Sequence, residues 1–214
     1  MTRVKICGIQ EPEHALLAAQ AGADFIGLVF YPPVSRYVPP AQARRIADAI
    51  HALGEDRPQL VGVFVNQTIE AMDTTAEFCG LDLIQLSGDE PWDLCRALSI
   101  PTVKALRVRP GTCVDDVMDE LDRELPAHHG LCLMESRVEG RYGGTGHRMD
   151  WTIAAAAARR HPFFLSGGLD PENVAGAVAQ VRPWGVDVSS GVETDGCKDA
   201  EKIEAFIRAV RGAE

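Results

Sequence analysis

A thiol, a carboxyl group, a guanidinium and two runs of small residues are the parts of this 214-residue chain suited to chemistry on a small anion. Cys7 closes one short apolar run and Glu135 follows another. A thiol with a reference pKa of about 8.5 is a few per cent thiolate at neutral pH, which makes Cys7 a candidate base or nucleophile. A carboxyl of raised pKa is the matching acid, and Glu135 is placed for that role. Arg36 sits between Pro32 and Pro33 on one side and Pro39 and Pro40 on the other. Its planar fork suits a carboxylate, and the prolines stiffen the loop that carries it. Ser166, Gly167 and Gly168, with Ser189, Ser190 and Gly191, are two clusters free of Lys and Arg. Small residues of this kind expose backbone amides to a phosphate. Each group also has a plainer reading: filler for a cysteine, a surface ion pair for an arginine, and turns for Ser and Gly.

Position in the fold separates the two readings. Short apolar runs at 4–7, 25–30, 60–65, 83–86, 101–106, 131–134, 163–166 and 185–188 are continuous rather than alternating, the mark of strands buried on both faces. Helical patterns at 11–21, 40–53, 68–79, 91–98, 113–124, 151–160, 173–181 and 199–211 separate or follow them. Ile46, Ile50 and Leu53 share one face of the second helix, and Ile203, Phe206, Ile207 and Val210 form a stripe on the last. Eight strand–helix units with no leftover edge favour one α/β domain over residues 1–214, a closed (β/α)8 TIM barrel, over an open doubly wound sheet.

A barrel of this kind works at the carboxyl ends of its strands. Cys7, Gln85, Ser87, Glu135, Ser166, Asp187 and Ser189 all fall there, and Arg36 lies in the loop after the second strand. The two small-residue clusters follow strands seven and eight, where this fold commonly binds phosphate. The segment 136–150, with Gly140, Gly143, Gly144 and Gly146, follows strand six and is long enough to be a working loop.

Composition removes other classes. A formal charge of −10 and no basic cluster exclude a duplex-binding footprint. No apolar stretch approaches the roughly 20 residues of a membrane span. The first residues run straight into a strand without a secretory pattern, so the expected compartment is the cytoplasm. The other five cysteines are scattered, with no CxxC pair, and read as inert. Only His147 lies in a loop at the expected site, so no metal is expected.

The motifs themselves resemble the phosphoribosylanthranilate isomerase family of tryptophan biosynthesis. KICG at 5–8, GLVFYPPVSRYV at 27–38, GVFVN at 62–66, GGTG at 143–146 with MDW behind it, FLSGGLDPENV at 164–174 and GVDVSSGVE at 185–193 with its KD and KI follow that family's order over nearly the whole chain. The resemblance implies a cofactor-free Amadori rearrangement of N-(5-phosphoribosyl)anthranilate to 1-(2-carboxyphenylamino)-1-deoxyribulose 5-phosphate. It implies Cys7 as base, the carboxyl at Glu135 as acid, and Arg36 on the anthranilate carboxylate. The amides of Gly167, Gly168, Ser189, Ser190 and Gly191 would hold the phosphate, with Gln85, Gly144 and Asp187 as further substrate contacts. The partner is then a small phosphorylated molecule, and the assembly a monomer or homodimer. Two positions depart from the family pattern: Glu135 replaces an Asp, and Ser87 replaces a His. A non-catalytic phosphate-binding barrel and a different sugar-phosphate isomerase or epimerase are the alternatives; the usual metal-dependent epimerase would need strand-end ligands that are missing here.

Overall fold

The computed structural model describes residues 1–128, 130–136 and 149–213, with the side chains of 127 and 128 excepted. Eight parallel strands close on themselves: β1 (Arg3–Cys7), β2 (Phe25–Val29), β3 (Gln59–Phe64), β4 (Leu83–Leu86), β5 (Thr102–Val108), β6 (Leu131–Ser136), β7 (Phe163–Leu165) and β8 (Gly185–Val188). The seam joins first strand to last, with Arg3 opposite Gly185 and Lys5 opposite Asp187. Seven α-helices pack outside among the described residues: α1 (Pro12–Ala21), α2 (Pro40–His51), α3 (Ile69–Cys79), α4 (Val114–His128), α5 (Trp151–Ala158), α6 (Val174–Val181) and α7 (Ala200–Gly212).

The barrel is the one expected, with one correction to its helices. Residues 91–98 read as a helix but form only the 3-10 turn Trp92–Arg96. Pro91 starts it, and the chain must re-enter the barrel at Pro101, which leaves too few residues for α-helical turns to repay their nucleation. Leu53, expected to share the buried face of α2, is 48% exposed because the helix ends at His51; Ile46 and Ile50 are buried. The four stripe residues of α7 are buried.

Alternation along each strand sorts the side chains into two layers. Val4, Ile6, Ile26, Leu28 and Leu60 face outward and pack under the helices in the main core. Phe25, Val61, Leu83, Val103, Leu133 and Phe164 face inward and plug the lower barrel, where Phe164 meets Phe25 and Trp184 edge-on at 5.2 and 5.0 Å. Above this plug the inward positions are mixed, with Lys5, Gln85, Glu135 and Asp187 beside the apolar group of Cys7, Val29 and Val63.

The lower rim is held by a device used twice. Asp24, just before β2, accepts the amide of Val4 on β1 at 2.8 Å and pairs with Arg3 and Arg211. Asp82, just before β4, accepts the amide of Leu60 on β3 at 2.7 Å and takes both arms of Arg57. Arg211 on α7 also donates to the carbonyls of Thr2 and Gly22, latching the last helix to the first strand. No helix among the described residues is long and apolar enough to cross a membrane.

Candidate active site

The upper mouth of the barrel holds a cleft lined by polar and apolar side chains together. Its wall contains Cys7, Arg36, Gln85, Glu135, Gly167, Gly168, Asp187, Ser189, Ser190 and Gly191, so ten of the eleven candidate residues come together. The eleventh, Gly144, lies outside the described residues, as do His147 and the rest of 137–148. Val29, Val34, Val63, Val65 and Tyr31, from the second and third strands and the segments after them, give the cleft an apolar surface fit for an aromatic ring.

Cys7 comes from the end of β1, and Gly27 on β2 makes room for it. A Cβ at position 27 would stand 2.7 Å from Cys7 Sγ and 3.0 Å from its Cα. Burial pushes the thiol up from its ordinary value of 9.0, against the pull of the Lys5 ammonium. Lys5, two residues earlier on the same inward face, is fully buried and pairs with Asp187 Oδ1 at 2.7 Å. Burial opposes its charge, but Asp187 and Cys7 outweigh that and hold it protonated. The other oxygen of Asp187 accepts the Ser166 hydroxyl at 2.9 Å.

Glu135 stands on β6 across the mouth and is 9% exposed. Burial first, and then the Asp187 charge, push its carboxyl up to about 7, against Arg107, Lys5 and Lys104. An acid of that pKa keeps a usable proton near neutrality, where an exposed Glu would have lost it.

Gln85 on β4 and Ser87, just past its end, complete the floor. Gln85 Nε2 donates to Ser87 Oγ at 2.9 Å, while Gln85 Oε1 is buried without a hydrogen-bond partner. An orphaned acceptor beside an open cleft suits a donor on a bound molecule. Glu90 sets this loop by accepting the amides of Asn66 at 2.6 Å and Gly88 at 2.8 Å.

The phosphate-type corner is built from backbone. Gly167 and Gly168 both have positive φ, +98° and +64°, a conformation that favours glycine. Gly191 lies so close to the loop after β7 that a Cβ there would strike the carbonyl of Leu169. No side chain larger than glycine fits between the two loops.

Arg36 is engaged with another carboxylate. Its Nε and Nη2 donate to the two oxygens of Glu193, each at 2.7 Å, which leaves Nη1 and the second Nη2 hydrogen for another acceptor. Sequence reasoning missed Lys5, Glu193 and Lys198 as parts of this neighbourhood. For Lys5 a signal existed: it lies two residues before Cys7 on the same inward face. The cysteines were read too uniformly: Cys79, Cys95 and Cys132 are buried, but Cys113 and Cys197 are exposed.

Comparison with known proteins gives one answer. Residues 4–209 match the family model described as N-(5'phosphoribosyl)anthranilate (PRA) isomerase. The N-(5'-phosphoribosyl)anthranilate isomerase of Roseiflexus castenholzii is 48% identical over 217 residues, covering 98% of each chain. That of Dehalococcoides mccartyi is 41% identical over 216 residues, covering all of this chain and 98% of its own. The phosphoribosyl anthranilate isomerase structure from Thermotoga maritima has a TM-score of 0.83 at 39% identity, over 99% of this chain and all of that one. A structure of phosphoribosyl anthranilate isomerase in complex with reduced 1-(o-carboxyphenylamino)-1-deoxyribulose 5-phosphate has a TM-score of 0.82 at 38% identity, with the same coverage.

Proposed function

Because the chain belongs to the N-(5′-phosphoribosyl)anthranilate isomerase family, it is an aldose–ketose isomerase of tryptophan biosynthesis, and we propose that Cys7 and Glu135 supply its base and its acid. The reaction converts N-(5′-phosphoribosyl)anthranilate to 1-(2-carboxyphenylamino)-1-deoxyribulose 5-phosphate. The observation that carries the assignment is the pairing in one cleft of a buried thiol with a carboxyl raised to about 7.

In this reading the Glu135 carboxyl gives its proton to the furanose ring oxygen as the bond from that oxygen to C1 breaks. The anilino nitrogen lends its lone pair to C1, forming an iminium ion. The Cys7 thiolate then takes the proton from C2, and the electrons of that bond move to C1–C2 and on to nitrogen. The resulting enolamine carries its hydroxyl on C2 and tautomerises to the ketone. Lys5 favours the thiolate at the moment it is needed, and Asp187 keeps Lys5 in place while holding the Glu135 proton on its carboxyl.

The substrate's two anions are assigned to two different sets of donors in the cleft wall. The phosphate takes the amides of Gly167, Gly168, Ser189, Ser190 and Gly191, and the remaining edge of Arg36 takes the anthranilate carboxylate. The Gln85 carbonyl accepts a substrate donor, and Ser87 leaves space where other family members carry the larger His. Gly144 contributes a further contact, the compartment is the cytoplasm, and the assembly is a monomer or a homodimer.

Turnover tests the assignment, followed by the loss of substrate fluorescence. Glu135→Gln should lower kcat by about a hundredfold or more with KM near the parent value, the mark of an interaction made in the transition state. A fully active Gln variant would move the proton donor elsewhere. Glu135→Asp should also slow the enzyme, because a carboxyl withdrawn by about 1 Å is misplaced for transfer.

A further inference from the structure

Glu193 and Lys198 lie behind the cleft wall rather than in it, and together with Arg36 they form a closed network. Glu193 takes Arg36 edge-on through both oxygens at 2.7 Å, and Lys198 Nζ reaches Glu193 Oε1 at 2.7 Å. Lys198 also donates to the backbone carbonyl of Ser189 at 2.9 Å, and the Ser189 hydroxyl donates to the carbonyl of Cys7 at 3.0 Å. The Glu193 and Lys198 side chains are 8% and 3% exposed, so these contacts are made away from water. Gly8 is the space the network needs: its φ is +77°, and a Cβ there would stand 2.6 Å from Arg36 Cδ and 3.0 Å from Ser189 Oγ.

The charge count explains why a carboxylate belongs behind an anion site. Arg36 and Glu193 alone would be a neutral pair, with donors but no net charge to offer a second carboxylate. Lys198 adds a second cation to the same carboxylate, so the cluster keeps one net positive charge. The phosphate loop, which contains no Lys or Arg, borrows part of that charge through Ser189.

We propose that Glu193 and Lys198 are positioning residues that set the Arg36 clamp and the Ser189 loop as a single unit, so that both anionic ends of the substrate are read by one rigid, positively charged frame. The proposal rests on the assignment of Arg36 to the anthranilate carboxylate made above. Neither residue touches substrate. Glu193 fixes the plane and reach of the guanidinium, and Lys198 neutralises Glu193 and ties it to the loop that meets the phosphate.

The test is a double-mutant cycle of Arg36→Ala and Glu193→Ala, with kcat and KM measured for all four enzymes. Glu193→Ala should raise KM about tenfold or more while kcat stays within about threefold, because clamp binding is shared by ground and transition states. In the Arg36→Ala background, removing Glu193 should change KM less than about twofold. Lys198→Met should raise KM and should also weaken inhibition by ribose 5-phosphate, which has no anthranilate group; Arg36→Ala should leave that inhibition unchanged. Should the alanine variant fail to fold, the isosteric Glu193→Gln replaces it in the cycle. Effects of Arg36 and Glu193 that multiply independently, or a Glu193 variant that loses kcat with KM unchanged, overturn the proposal but leave the Arg36 clamp standing. An Arg36→Ala enzyme with unchanged KM removes the clamp itself, and the proposal with it.

Discussion

The pH dependence of catalysis follows from an unusual order of two proton affinities. The proposed mechanism needs Glu135 protonated and Cys7 ionised, yet burial raises Glu135 to about 7 and holds the Cys7 thiol above its ordinary 9.0. Between these values the dominant form has the opposite distribution, a carboxylate and a thiol. The productive pair is then a minor form of the free enzyme. The protonation states of the free enzyme set kcat/KM. Below about 7, Glu135 keeps its proton and the thiolate grows with pH, so the rate rises. Between about 7 and the thiol pKa the two changes cancel and the rate is level. Above the thiol pKa the loss of the carboxyl proton wins and the rate falls. In Glu135→Gln the residual rate should instead rise with pH until the thiol is ionised. The ratio of parent to variant isolates the carboxyl, because the ionisation of the substrate phosphate, near pKa 6, is common to both and cancels. That ratio should be flat below pH 7 and fall about tenfold per unit above it. A ratio independent of pH between 5.5 and 9 would refute proton donation by Glu135. A parent rate that falls above pH 7 would show that the thiol is already ionised there, and would refute the inverted order.

Three further outcomes are expected. Cys7→Ala should abolish turnover while a reduced product analogue binds within a few fold of the parent, measured by calorimetry; near-normal turnover would move the base elsewhere. Gly191→Ala should raise KM about tenfold or more and weaken ribose 5-phosphate to the same degree, because its Cβ meets the Leu169 carbonyl; unchanged values would place the phosphate elsewhere. Asp82→Asn should cost about 1–3 kcal/mol in denaturant unfolding at neutral pH. Burial opposes the Asp82 charge, but Arg57 and the Leu60 amide lower its folded pKa, so this stability is present above the unfolded value of about 3.9 and disappears as pH falls through the folded one. A difference between the two proteins that persists at pH 2 would refute the electrostatic origin.

How much of this was legible before the structure depends on the range of the interaction concerned. Strands such as 83–86 and 185–188 announce themselves because burial on both faces leaves an uninterrupted apolar run. Once they are placed, Cys7, Glu135 and the two glycine-bearing loops follow from the rule that strand ends carry the site. The turn Trp92–Arg96 was misread because an apolar spacing says nothing about how soon the chain must return to the barrel. Leu53 was misread because a face is shared only while the helix lasts. Glu193 and Lys198 had no local signature of function: the Arg36–Glu193 pair spans 157 positions, and the Lys5–Asp187 pair spans 182.

The seam between β1 and β8 also governs when this protein becomes an enzyme. The first strand leaves the ribosome with a ladder on one side only, and its second partner is not made until about 180 residues later. At translation rates of about 5–20 residues per second, that edge stays open for roughly 10–40 s. Throughout that interval Lys5 lacks Asp187, Cys7 lacks its loop, and an apolar strand offers free amides to any neighbouring chain. Closure and assembly of the Lys5–Asp187 pair are therefore one late event in biosynthesis.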